Sequence, residues 1–329
     1  MIDWIKTRSK RDLVLALVMA GGFFLLVGAV SRGLFSRASH YASSHSYEHS
    51  SGGGILFDEI FSVSPGAMLV VRVSDLDVVV SATSGSEASV VLSIDEDEDV
   101  SGDALEQMGF QVERTSEGLE ISTEGDSWGH GDYDGTLHVT VPSRFDVQVR
   151  TGDGDVAVES IEGSVMLNTG DGDIALGGAM GSEVMIQTGD GDVAVGGTSS
   201  GSVRVQTGDG DVALGRLEAE DVQVRTGDGD IMIEELSGAL TASTGDGDVM
   251  LHIVDFSGLE ISTGDGDVTL YAPASLAADV SIRGGELILG DAFSMPATME
   301  DRSLEGVLNG GGPQLSIRVG DGTIRLIER

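Results

Sequence analysis

One pentapeptide governs this chain: Thr-Gly-Asp-Gly-Asp begins at Thr151, Thr169, Thr188, Thr207, Thr226, Thr244 and Thr263, at successive spacings of 18, 19, 19, 19, 18 and 19 residues. A fixed period of this length marks a repeat architecture in which each unit stacks on the one before and none is stable alone. Within one unit Val222-Gln223-Val224-Arg225 alternates, the pentapeptide turns, and Ile231-Met232-Ile233 alternates again before a second corner near Gly238. Period-two alternation predicts strands. The expected fold class is therefore all-β: a parallel β-solenoid with about 19 residues and two strands per coil, preceded by one N-terminal transmembrane or signal helix. Val222, Val224, Ile231 and Ile233 point inward, as do Val203, Val205, Val212 and Leu214 one coil earlier. Parallel pairing at about 4.8 Å per coil makes the seven regular coils a rod segment of roughly 30 Å. The glycines of each tight turn are expected to take positive φ.

Composition agrees with thin β layers, since the chain is 40% hydrophobic but only 5% aromatic, and Val, Leu, Ile and Ala suit sheets better than a bulky globular centre. It has no cysteine, which excludes disulfides, thiolate metal sites and a cysteine nucleophile. Charge is uneven. Residues 1–54 hold six Arg or Lys against three acids, leaving 12 bases and 52 acids in the remaining body. Such a body repels nucleic-acid phosphates and anionic headgroups, so no nucleic-acid partner is expected.

Lys6, Arg8, Lys10 and Arg11 precede an uncharged run from Leu13 to Val30, the arrangement of a signal sequence or a positive-inside anchor. Eighteen residues just span a bilayer core of roughly 30 Å. The chain thus divides into a basic cytoplasmic N-terminus (1–12), a signal-anchor helix (13–30), a Ser/His/Gly-rich linker (31–54), irregular β coils (55–150), regular coils (151–270) and divergent C-terminal coils with a cap (271–329). The expected location is the cell membrane, single-pass, with the C-terminal body extracytoplasmic; cleavage at Val27-Gly28-Ala29 would make the protein secreted. His40, His45 and His49 read as part of a flexible tether. Within 55–150, strands are expected over Leu69–Val73, Val78–Ala82, Ser89–Ile94, Gly109–Glu113, Leu119–Ser122 and Thr136–Val141, with a helical turn near Asp103–Met108. The segment Leu308–Arg329, where the motif returns as Val319-Gly320-Asp321-Gly322-Thr323, reads as the terminal cap.

Phe61-x-Val63-x-Pro65-Gly66, the repeated T-G-D-G-D coils and the closing Asn309-Gly310-Gly311-Gly312-Pro313 to Gly320-Asp321-Gly322 together resemble the bacterial "putative adhesin" β-strand-repeat family, a domain of unknown function. The likeness covers about residues 57–329. It implies a β-solenoid, often tethered to a membrane, and brings no catalytic residue with it.

Stacking places Asp153, Asp171, Asp190, Asp209, Asp228, Asp246 and Asp265 in one row and Asp155, Asp173, Asp192, Asp211, Asp230, Asp248 and Asp267 in another. Neighbouring charges about 4.8 Å apart repel by roughly 1 to 3.5 kcal/mol at effective dielectric constants between 80 and 20. Two readings answer that repulsion. Calcium, which takes six to eight oxygens, would use these carboxylates as its metal site; or each Asp accepts backbone N–H bonds as a turn cap, with salt screening the remainder. The second is preferred, and no other cofactor is expected. On the second sheet the outward stripe Ala157, Ala175, Ala194, Ala213, Met232, Met250 and Thr269 is a candidate docking face for an unidentified protein or glycan partner. Self-association through sheet faces or solenoid ends is a further route, and membrane contact falls to the N-terminal helix.

An active centre would break the repeat with a positioned His, Arg or Lys, whereas His130, His138 and His252 stand singly. The expected function is an adhesin-like interaction or envelope scaffold module, not an enzyme; a calcium-binding repeat domain and a carbohydrate-active β-helix enzyme are the alternatives.

Overall fold

A computed structural model describes residues 54–94, 104–123, 135–300 and 303–329, with the side chains of 299 and 300 outside the description. The basic N-terminus, the apolar run 13–30, nearly all of the linker and His130 lie outside the described residues. Among the described residues no helix is long and apolar enough to cross a membrane.

The body is all-β and mostly parallel. Equivalent residues of successive coils face one another at the repeat distance: Val156 opposite Ile174, Ile174 opposite Val193, Val193 opposite Val212, Val212 opposite Ile231 and Ile231 opposite Val249. The inward residues do what their alternation predicts, with Val203, Val205, Val222, Val224, Ile231 and Ile233 all at most 1% exposed. An apolar void of about 10 Å³, lined by Leu270, Val280, Ile282 and Leu326 among others, lies at the C-terminal end.

The second corner differs from expectation. Strands Ile174–Gln187, Val193–Gln206, Val212–Arg225, Ile231–Ser243 and Val249–Thr263 run through it without a break. Each of these five coils is thus one long bent strand closed by the pentapeptide, whereas the first regular coil keeps the expected two strands, Val156–Val158 and Val165–Asn168. The parallel ladder continues around the bend. Gly238 takes φ 135° there, and a Cβ on it would lie 1.7 Å from the Ala219 carbonyl oxygen. One of the shorter, 18-residue periods is absorbed here too, where the pairing skips Glu220 between Ala219 and Asp221 opposite Gly238 and Ala239.

The ends are built out of sequence order. Met68–Arg72 lies between Gly118–Thr123 and Asp146–Arg150, and Asp77–Thr83 between Gly135–Pro142 and Val156–Val158. At the other end Gln314–Val319 lies between the last regular coil and Ala278–Arg283, and Thr323–Glu328 between Val268–Ala272 and Glu286–Leu289. The segment Leu308–Arg329 is therefore an inner layer and not the terminal cap. Antiparallel strands close both sheets on the N-terminal side, Phe110–Arg114 on the first and Glu87–Ile94 with Gly54–Ser62 on the second, and Ser303–Leu308 with Ala297–Glu300 closes the first sheet on the other side; there the second sheet ends at the parallel strand Glu286–Leu289. Eleven parallel layers result, a rod of about 50 Å at strand spacing. The strands expected before Arg150 form within a residue or two of their expected bounds, and the helical turn is Ala104–Gln107.

The inner row of the second corner is apolar except at one rung. Thr198 stands between Ala179 and Leu217, 4% exposed, and its buried Oγ1 has no hydrogen-bond partner. A buried hydroxyl left unsatisfied costs about 1–3 kcal/mol. Replacing Thr198 with the isosteric Val is expected to raise the unfolding free energy by about 1 kcal/mol, read from the midpoint shift in urea at constant slope.

Candidate functional site

The pentapeptide edge is where the chemistry-bearing side chains gather, and its geometry starts with the glycines. Neighbouring coils approach too closely for any side chain between them. A Cβ added at Gly191, Gly210 or Gly229 would sit 2.0 Å from the carbonyl oxygen of Gly172, Gly191 or Gly210 in the coil before. At Gly170, Gly189 and Gly208 it would meet Oδ1 of Asp153, Asp171 and Asp190 at 2.5, 2.5 and 2.7 Å. None of these turn glycines has φ in the left-handed region, where Gly66 and Gly238 are found. The expectation of positive φ is corrected: contact between coils, not backbone handedness, demands glycine here.

That proximity builds two side-chain ladders. The seven motif threonines are buried, at 4–8% exposure. Thr226 Oγ1 donates to the Gly210 carbonyl at 2.9 Å and accepts the Gly229 N–H at 3.2 Å, and Thr207, Thr244 and Thr263 repeat the pattern. Sequence reasoning centred on the aspartates passed over these hydroxyls, although an invariant Thr ahead of every turn was the available signal.

The two aspartate rows part company. Asp153, Asp171, Asp190, Asp209, Asp228, Asp246 and Asp265 are exposed, with Asp153, Asp171, Asp190, Asp209 and Asp228 folding Oδ1 over the first glycine of the next coil. In the second row each carboxylate takes the backbone N–H of its successor: Asp155 Oδ1 from Asp173, Asp173 from Asp192, Asp192 from Asp211 and Asp211 from Asp230, all at 2.8 Å. Asp230 and Asp248 continue it at 2.8 and 2.7 Å. Hydrogen bonds to charged groups are worth about 1.5–3 kcal/mol, comparable to the repulsion between rungs, so each rung roughly offsets its own charge. The aspartate caps the next coil's turn rather than its own. Among the described residues no group of three or more carboxylate or imidazole side chains is gathered for a metal ion.

The ladder outruns the motif at both ends. Asp77 Oδ1 accepts the Asp155 N–H at 2.9 Å, and Thr151 Oγ1 donates to the Ser74 and Leu76 carbonyls, so Val73-Ser74-Asp75-Leu76-Asp77 is a disguised turn. At the far end Asp267 Oδ1 accepts the Thr323 N–H, and Asp267 Oδ2 binds Arg325, both at 2.7 Å. Burial pushes Asp267 up, but the bonds from Arg325 and Thr323 outweigh it and hold the carboxyl below its ordinary value.

The sequence matches the Toastrack DUF4097 family over residues 67–326. The chain belongs to that family. Three solved structures are similar to it. A "putative adhesin" from Bacteroides fragilis is 16% identical, with TM-score 0.43, covering 84% of this chain and 98% of its own. A "putative cell adhesion protein" from Clostridium sporogenes is 13% identical, with TM-score 0.22, covering 83% and 99%. A "putative lipid binding protein" from Parabacteroides distasonis is 10% identical, with TM-score 0.45, covering 84% and 97%. No curated protein matches the chain.

Two other regions of this Toastrack body bear on function. Of the expected docking stripe, Ala175 and Ala194 are buried, at 3% and 1% exposure, and the other five residues are half-buried. Near the C-terminus Glu235 binds Arg216 at 2.7 Å and Arg329 at 2.8 Å, while His252 packs edge-on against Tyr271 with ring centres 4.5 Å apart. The bonds from Arg329 and Arg216 hold Glu235 below its ordinary value, whereas burial, then the Glu235 charge, pushes Glu234 up. Burial lowers the His252 pKa, Arg329 lowers it further, and Glu235 opposes both.

Outcomes of two kinds are expected, one from substitutions in the ladders and one from pH. Thr226→Val should destabilise the rod by about 1–3 kcal/mol, whereas Thr226→Ser keeps the hydroxyl and most of the stability; Asp230→Asn keeps the acceptor and should match or exceed the parent melting temperature, and Asp230→Ala should fall below it. The second concerns pH. The unfolded chain protonates His252 near 6.5 and the native chain only at lower pH, so stability falls as pH drops below 6.5 and levels off once the native imidazole is protonated. His252→Phe should flatten urea-derived stability between pH 7 and 5.

Proposed function

We propose that this protein is a membrane-anchored, extracytoplasmic rod without catalytic activity, an adhesin-like interaction or envelope scaffold module. The observation that carries this reading is the unbroken hydrogen-bonded edge: from Asp77 to Thr323 every rung repeats the same intercoil bond, and no rung departs from it to make a reactive centre. A catalytic site needs a nucleophile, base or stabiliser placed against a cleft. Here the second-row carboxylates are committed to backbone N–H groups. A stiff rod of about 50 Å suits holding a binding face away from a membrane. Its anchor is the uncharged run 13–30 behind Lys6, Arg8, Lys10 and Arg11, followed by a 24-residue tether. The partner belongs to the surface class, protein or glycan.

The test is topological. With a C-terminal tag on the full chain, protease added to bacterial spheroplasts should destroy the tag while a cytoplasmic marker survives, and the undigested protein should stay with carbonate-washed membranes. A protease-resistant tag in sealed spheroplasts would refute the extracytoplasmic placement; release into the medium would refute the anchor.

A further inference from the structure

The strand register brings together arginines that are far apart in sequence. On the outer face of the first sheet, the row next to the turn reads, layer by layer, Ser122, Arg72, Arg150, Asn168, Gln187, Gln206, Arg225, Ser243, Ser262, Arg318 and Arg283. The row beside it, two residues earlier, reads Glu120, Val70, Gln148, Met166, Met185, Arg204, Gln223, Thr241, Glu260, Ser316 and Ser281. These two rows hold six arginines and two glutamates, in a chain whose formal net charge is −37. The sign of the surface is inverted along one strip about 7 Å wide and some 50 Å long. Acids frame it on both sides: the exposed first aspartates of the turns, and Asp146, Glu183 and Asp221.

The arginines are also spaced. Arg72 with Arg150, Arg204 with Arg225, and Arg318 with Arg283 occupy neighbouring layers, and each pair lies four layers from the next, about 19 Å. Arg72 and Arg318 bind Glu120 and Glu260. Among the described residues no carboxylate pairs with Arg150, Arg204, Arg225 or Arg283. Between the pairs stand Asn168, Gln187, Ser243 and Ser262, groups that both donate and accept hydrogen bonds.

We propose that this strip binds a linear anionic polysaccharide laid along the rod, its carboxylates or sulfates on the arginine pairs and its hydroxyls on the amides and serines between them. Sign selects an anion, length selects a polymer, and width selects a thin one. A double helix, with a major groove alone about 12 Å across, would press phosphates onto the acidic frame, as would a planar anionic membrane. Single-stranded nucleic acid binds on aromatic stacking platforms, and neither row has an aromatic side chain. An extended peptide pairs with a sheet edge rather than a sheet face. Three cationic stations on one stiff support let weak contacts add through effective concentration.

This inference rests on the reading of the body as a surface binding rod. It is tested with the purified full chain in detergent, by biolayer interferometry against alginate as the linear polyuronate, with pullulan, poly-glutamate, duplex DNA and polyadenylate as the comparison polymers. Alginate binding that weakens as salt rises, exceeds all four comparisons, and drops about tenfold or more in the Arg204→Gln/Arg225→Gln double variant supports the strip. Arg114→Gln, exposed but off the strip, should bind as the parent does, and circular dichroism with melting temperature confirms that each variant is folded. Absence of alginate binding, equal binding of any comparison polymer, or undiminished binding by the folded double variant would each overturn the proposal. These readouts use purified protein, so their failure leaves the spheroplast result standing, and failure of the spheroplast experiment leaves these readouts intact.

Discussion

Everything in this rod depends on how closely one coil's turn lies against the next. At the pentapeptide the backbones approach until only hydrogen atoms fit between them, and that contact sets the identity of the glycines, the threonine and the second aspartate. Glycine stands where a Cβ would strike a neighbouring carbonyl or carboxylate. Threonine is buried because its hydroxyl both donates to the coil below and accepts from its own turn. The second aspartate remains acidic because the N–H of the coil above points at it. A buried turn without such partners would strand several backbone groups away from water, each at a cost comparable to a lost hydrogen bond.

This explains how so acidic an edge is tolerated. Half of its carboxylates are acceptors in charge-assisted bonds whose strength is of the same order as the repulsion between rungs. The other half face solvent, where screening operates. The remaining positive charge is distributed with economy: Arg325 closes the last rung at Asp267, Arg216 and Arg329 hold Glu235, and six further arginines line the first sheet's outer face. The terminal arginine thereby ties the chain end to coils much earlier in the sequence.

The non-sequential ends solve the problem of stopping a solenoid. A parallel stack exposes an unpaired strand at each end, a template for unwanted pairing. Here the chain lays down one layer, builds outward, caps itself with antiparallel strands, and leaves the intercalated layer bonded on both sides. Gln314–Val319 and Thr323–Glu328 belong to the interior of the stack despite forming the end of the sequence. Ladder and core therefore continue past the last regular coil, and Phe293 and Leu308 are buried beyond it.

The period, the strand alternation and the inward residues were legible from sequence, because they are local and repeat seven times; seven repetitions also made the two aspartate rows and their stacking unavoidable. Hidden were the features that arise only between layers. Asp77 pairs with Asp155 across 78 residues, Asp267 with Thr323 across 56, and Arg283 lies opposite Arg318 only because the last segment inserts beneath its predecessor. The roles of glycine and threonine were hidden for the same reason, since both answer to a neighbour that is close in space and a whole coil away in the chain. Sequence alone determined that the chain stacks, and at what period; tertiary structure decided the order of the layers, and with it which charges stand side by side, because contact between layers depends on pairing register rather than on position along the chain.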